Sequence, residues 1–179
     1  MTFGGYPHTN PASETYYSQT PFRFGDYVAK FSVVPSSLNL LSLKDHAIDL
    51  ALDHDVLRAE LTRTFAAEGG QWDLRAQLLT NPETMPVEDG SVAWPEAESP
   101  YSTVATITVG PQPVWTQERA AAVDDHVAFS PWQGLAAHRP LGAINRVRKQ
   151  VYTTASAHRA ALNRCPIHEP SAQMRLPVC

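Results

Sequence analysis

The chain has 179 residues, 43% of them hydrophobic and 9% aromatic, which is enough apolar material for one domain with a substantial core and argues against general disorder. Fourteen Lys and Arg stand against 18 Asp and Glu, a formal charge of −4 that gives no electrostatic case for nucleic acid or an anionic membrane as partner. The apolar runs fall well short of the ~20 residues that span a bilayer. The start lacks the basic-then-apolar order of a signal peptide, so the expected location is cytoplasmic.

Fifteen prolines divide the chain into short strands and irregular connections. Residues 1–25, rich in Pro, Gly, Thr and Tyr, read as an extended arm. Residues 26–34 alternate as a β-strand with Tyr27, Ala29, Phe31 and Val33 on one face, and Pro35-Ser36-Ser37 ends it. In the second half of 45–67, Val56, Leu57, Leu61 and Phe65 form the apolar stripe of a helix. Asp53 or Asp55 offers its N-cap and Gly69-Gly70 its stop. Residues 71–80 predict a second strand, with Trp72, Leu74, Ala76 and Leu78 on one side.

Residues 81–100 hold four prolines and many acids, and predict a loop with one short strand around Val92-Ala93-Trp94. The clearest strand is 101–109, dense in β-branched residues and closed by Gly110-Pro111. A short helix is expected over 116–123 with Thr116 as N-cap, then an irregular stretch, then a long terminal helix over 141–163. Residues 164–179 read as a loose tail carrying Cys165 and Cys179, expected as reduced thiols, with a tail disulfide as the alternative. Strands that meander before a long helix give the α+β class.

The terminal helix carries the most informative pattern. Arg148, Tyr152 and Arg159 are four and seven residues apart and share one stripe, with Asn145 on the same side. Permanently charged guanidinium groups beside a phenol favour the phenolate, an anionic oxygen donor suited to ferric iron, and Arg can also pair with a cofactor carboxylate. No Cys or His spacing suggests zinc, and the seven histidines form no metal or Ser/His/Asp constellation.

The run FSPWQGLAAHRPLGAINRVRKQVY (129–152) resembles the segment that leads into the haem-ligand helix of the haem catalase superfamily, in particular its small catalase-related proteins of bacteria and fungi. Upstream, TYYSQTPFRFGDYVAKFSVVP (15–35), QLLTNPETMPVEDGSVAWPE (77–96) and SPYSTVATITV (99–109) carry the resemblance in the same order, so that it covers roughly residues 6–162. It implies a partial antiparallel catalase-like β-barrel followed by a C-terminal haem-ligand helix. The implied organisation is the arm 1–25, the C-terminal half of a haem domain over 26–163, and the tail 164–179.

The resemblance also implies ferric, tyrosinate-ligated haem. Tyr152 is then the metal ligand, Arg148 the group that hydrogen-bonds the phenolate, and Arg159 the partner of a haem propionate. Phe129, Pro131, Trp132 and Leu135 suit either a porphyrin lining or an ordinary core. No position matches the distal His motif of the family, so no distal catalytic residue is carried over. The implied function is a catalase-like haem protein acting on hydrogen peroxide or organic hydroperoxides, here lacking its distal half. The alternative is a non-catalytic haem-binding or structural remnant. A half-barrel exposes strand edges, and self-association through them is expected.

Overall fold

The computed structural model describes residues 7–51, 53–114 and 116–170. The ends of the expected arm and tail, residues 1–6 and 171–179, lie outside these. Five strands form one antiparallel sheet: β1 (Tyr16–Tyr17), β2 (Phe22–Phe24), β3 (Tyr27–Pro35), β4 (Gly70–Leu78) and β5 (Ser102–Val109). The order is β1-β3-β4-β5, with β2 also paired to β3, and the sheet does not close. The helices are α1 (Leu38–Leu41), α2 (Val56–Ala67), α3 (Gln117–His126) and α4 (Gly142–Asn163). Among the described residues, no helix is long and apolar enough to cross a membrane.

The chain divides into two compact units, and β3 and β4 contribute residues to both. The first unit comprises the chain up to Tyr17, Phe31–Ala76 and Tyr101–Trp115. Its core is Ala12, Leu40 and Trp72, with Val33, Leu61, Phe65 and Val109 packed around them. Leu61 and Phe65 come from the expected stripe of α2, and Phe65 stacks on Trp72 at 5.9 Å between ring centroids. The indole N–H of Trp72 is satisfied by donating to the Ala12 carbonyl at 2.8 Å. At the turn from α2 into β4, Gly69 has φ +74, and a Cβ there would stand 2.0 Å from the Val109 carbonyl oxygen, so the stop signal is a steric requirement. Strands β4 and β5 pair from Gly70↔Val109 to Ala76↔Ser102, with a bulge at Leu74/Arg75. Among the described residues β5 pairs with β4 alone, and Ser102 to Thr108 are exposed.

The second unit comprises Ser18–Lys30, Gln77–Pro100 and the chain from Thr116 on. Phe24↔Tyr27 closes a two-residue β2–β3 hairpin at Gly25-Asp26, with Gly25 at φ +64. The 81–100 loop has no strand at Val92-Ala93-Trp94. It is fixed instead by buried Gln77, whose Nε2 donates to the Trp94 and Ser99 carbonyls at 3.2 and 2.9 Å, and by fully buried Met85. Pro95, directly after Trp94, offers no N–H to continue a ladder there. Helix α3 starts as expected, with Thr116 Oγ1 accepting from the Arg119 amide, and runs one turn further than its sequence pattern. The described part of the tail is tied down: the His168 amide donates to the His126 carbonyl at 2.7 Å, and the Ala128 amide to the His168 carbonyl at 2.9 Å. Cys165 is buried and disulfide-bonded, which corrects the expectation of a reduced thiol.

Strand β3 departs from simple alternation, because Lys30 and Ser32, on the opposite side from Ala29, are buried too. Lys30 Nζ donates to the Val92 carbonyl at 2.9 Å and lies 5.0 Å from the Trp94 ring centroid. Burial lowers the Lys30 pKa from the ordinary lysine value, with the Asp89 charge opposing. The folded state then holds this proton less tightly than the unfolded chain does, so stability is withheld below the folded value and gained as pH rises through it. Accordingly, the unfolding free energy of the wild type minus that of Lys30→Met rises between neutral and alkaline pH in urea titrations. A flat or falling difference would contradict the assignment.

Helix α4 starts at Gly142, at φ +82, where a Cβ would stand 2.6 Å from the Val87 carbonyl oxygen. Gly142→Ala meets both a left-handed backbone and a fixed backbone atom. It is expected to lower stability by about 1–3 kcal/mol in chemical denaturation. An unchanged midpoint would show that the entry to α4 is not so constrained.

Candidate functional site

Helix α4 is inverted relative to an ordinary surface helix. Val147, Val151 and Leu162 are 61%, 53% and 68% exposed, whereas Asn145 is fully buried and Arg148, Tyr152 and Arg159 are partly buried. The stripe read from the sequence is therefore the packed face of the helix.

Three of its residues form a connected chain of hydrogen bonds. Arg148 donates from Nε and from Nη2 to the Tyr152 hydroxyl oxygen, at 3.2 and 3.0 Å. Its Nη1 donates to Asn145 Oδ1 at 3.2 Å. Asn145 Nδ2 in turn donates to the carbonyls of Leu141, at 2.8 Å, and Pro21, at 3.4 Å. The guanidinium carbon lies 5.2 Å from the Tyr152 ring centroid. One phenol oxygen thus receives two donors from a single guanidinium fork.

The loop before α4 is held against the same helix. Ser130 and Gln133 form a reciprocal cap around the 3-10 turn Pro131–Gln133. This sets Trp132 so that its indole N–H donates to the Asn145 carbonyl at 2.8 Å, with Lys149 Nζ 4.8 Å from its ring centroid. Phe129 and Leu135, 65% and 73% exposed, are not core residues, so the ordinary-core alternative fails for both.

Arg159 does not join the Asn145–Arg148–Tyr152 cluster. Its Nη1 donates to the Asp124 carbonyl and its Nη2 to the Val127 carbonyl, the latter at 3.0 Å. It thereby closes the C-terminal end of α3, where carbonyls lack partners within the helix. Asn163 adds a bond to Asp125 at 3.1 Å.

Arg146 makes a two-pronged pair with Glu88, at 3.0 and 2.8 Å, and draws the Glu88 carboxyl below its usual range. This ties the Met85–Asp89 loop to α4 on an exposed surface. Among the described residues, no group of three or more His, Cys, Asp or Glu could hold a metal ion. A cleft of about 430 Å³ in the first unit is lined by residues including His8, Glu14, Tyr16 and Asp45, and contains none of the α4 residues.

No protein-family model matches the sequence, and comparison with curated proteins gives no match. Among solved structures, a fungal catalase crystallised at 1.9 Å is similar, with a TM-score of 0.64 and 18% identity. The match covers 84% of this chain and 32% of the catalase. At that identity the likeness establishes the fold. The chain has a catalase-like fold with an open antiparallel sheet, and spans about a third of the length of the catalase it resembles.

If Arg159 serves α3 as the geometry indicates, Arg159→Ala speeds amide exchange in the last turn of α3 and at Val127 while leaving the Trp132 fluorescence unchanged. Protection that stays at the wild-type level would refute that role.

Proposed function

We propose that this chain is the haem-bearing part of a catalase-like protein, with Tyr152 as the phenolate that would ligate the iron and Arg148 as the group that hydrogen-bonds its oxygen. The single observation that carries this reading is the pair of hydrogen bonds from one guanidinium to one phenol oxygen on the packed face of α4. The donor set fits ferric haem. A hard anionic oxygen suits ferric iron, and Arg148 brings a planar fork of donors to that oxygen. When bound, the haem would supply redox chemistry toward hydrogen peroxide or an organic hydroperoxide. Tyr152 would anchor and orient it, and Arg148 would keep two donors directed at the phenol oxygen. The catalase-like fold supports this reading because a Tyr holds the haem iron in catalase. Arg159, which the resemblance assigns to a propionate, is left outside this core set because its two Nη groups serve α3.

A second reading, haem binding without turnover by this chain, is favoured by the cluster's own chemistry. The cluster of Asn145, Arg148 and Tyr152 holds no His, Asp or Glu, the side chains that most often move a proton in catalysis.

Haemin titration of the chain separates these readings. The wild type should give a saturable ferric-tyrosinate absorption spectrum, and Tyr152→Phe should raise the dissociation constant about tenfold or more and abolish that spectrum. Equal binding by the two proteins would remove the ligand assignment. Peroxide loss faster than with free haemin would support turnover by this chain; loss at the free-haemin rate would leave haem binding alone.

A further inference from the structure

Asn145 has no exposed surface, and an amide buried in that way must satisfy two donors and an acceptor. Its orientation is forced by its neighbours. The Leu141 and Pro21 carbonyls can only accept, so they fix Nδ2 on their side, and Oδ1 is left facing the Arg148 Nη1 donor. Pro21 is itself fully buried, and its carbonyl also accepts the Leu141 amide at 3.0 Å, so the anchor point belongs to the backbone framework. The Asn145 main chain is held independently, through the Trp132 indole at 2.8 Å.

Arg148 has a planar fork of five donors. Once Nη1 is held by Asn145, the opposite edge, bearing Nε and Nη2, is aimed at the Tyr152 oxygen, which is where both bonds are found. Nothing in the intrinsic preferences of a helix explains an Asn here, since Asn is a middling helix former and this position is past the cap.

We infer that Asn145 is a positioning residue: anchored to the Pro21 and Leu141 carbonyls, it locks the Arg148 guanidinium with two donors directed at the phenol oxygen of Tyr152. The inference rests on the reading of Tyr152 as haem ligand for its functional meaning, but its physical content is testable without haem.

The experiment is nitrogen-15 NMR of the Arg148 guanidinium in the haem-free full chain, with Arg148→Lys used for assignment. Restricted rotation about the Cζ–Nη1 bond is expected in the wild type. It is also expected in Tyr152→Phe, where the phenol is gone and Asn145 alone holds Nη1. In Asn145→Leu, which keeps the volume and removes the amide, rotation should be about tenfold faster or more, as the loss of a hydrogen bond to a charged group implies. Free rotation in Tyr152→Phe, or slow rotation in a folded Asn145→Leu, would overturn the inference. Should Asn145→Leu fail to fold, the Tyr152→Phe result decides alone. With haemin added, Asn145→Leu should retain tyrosinate ligation but shift its charge-transfer band, an effect that loss of packing alone would not produce. A wild type with no tyrosinate band refutes the haem reading, while the haem-free rotation still reports on Asn145.

Discussion

The hydrogen bonds that run from the Pro21 carbonyl through Asn145 and Arg148 to the Tyr152 oxygen tie the polar stripe of α4 to the backbone framework. They turn the polar stripe inward and leave Val147, Val151 and Leu162 exposed. Burying Asn and Arg is unfavourable unless each donor is used, and here the main donors are used. An ordinary amphipathic helix would have placed the valines inside and left the phenol in water.

The supporting parts can be read as devices for fixing that helix. Gly142 lets the backbone enter α4 beside Val87, Arg146 clasps Glu88 of the preceding loop, Trp132 meets the Asn145 carbonyl, and Arg159 closes α3. The second unit therefore holds α4 at its start, middle and end. The first unit has its own core around Leu40 and Trp72 and shares strands β3 and β4 with the second.

Much of this was legible in the sequence. The bounds of α4, the stripe of α2, the strands later seen as β3, β4 and β5 and the Thr116 cap all follow from periodicity and capping chemistry, and the structure places them within a few residues. The short strands β1 and β2 were not legible, because two or three residues carry no period and their existence depends on pairing with β3. Burial of Lys30 was hidden for a similar reason: its partner, the Val92 carbonyl, lies 62 residues away. At the site, spacing placed Arg148 beside Tyr152, but the same spacing grouped Arg159 with them, and only the tertiary contacts with Asp124 and Val127 separate it. Asn145 could have been found from one signal, an Asn on the stripe that faces the protein three residues before the Arg.

Resonance Raman spectroscopy of the ferric haemin complex tests the central claim most directly, since it detects the phenolate bound to iron. The account predicts enhanced phenolate modes in the wild type that shift on deuteration of tyrosine and vanish in Tyr152→Phe. A haemin complex without such modes, or with modes that persist in Tyr152→Phe, would contradict it.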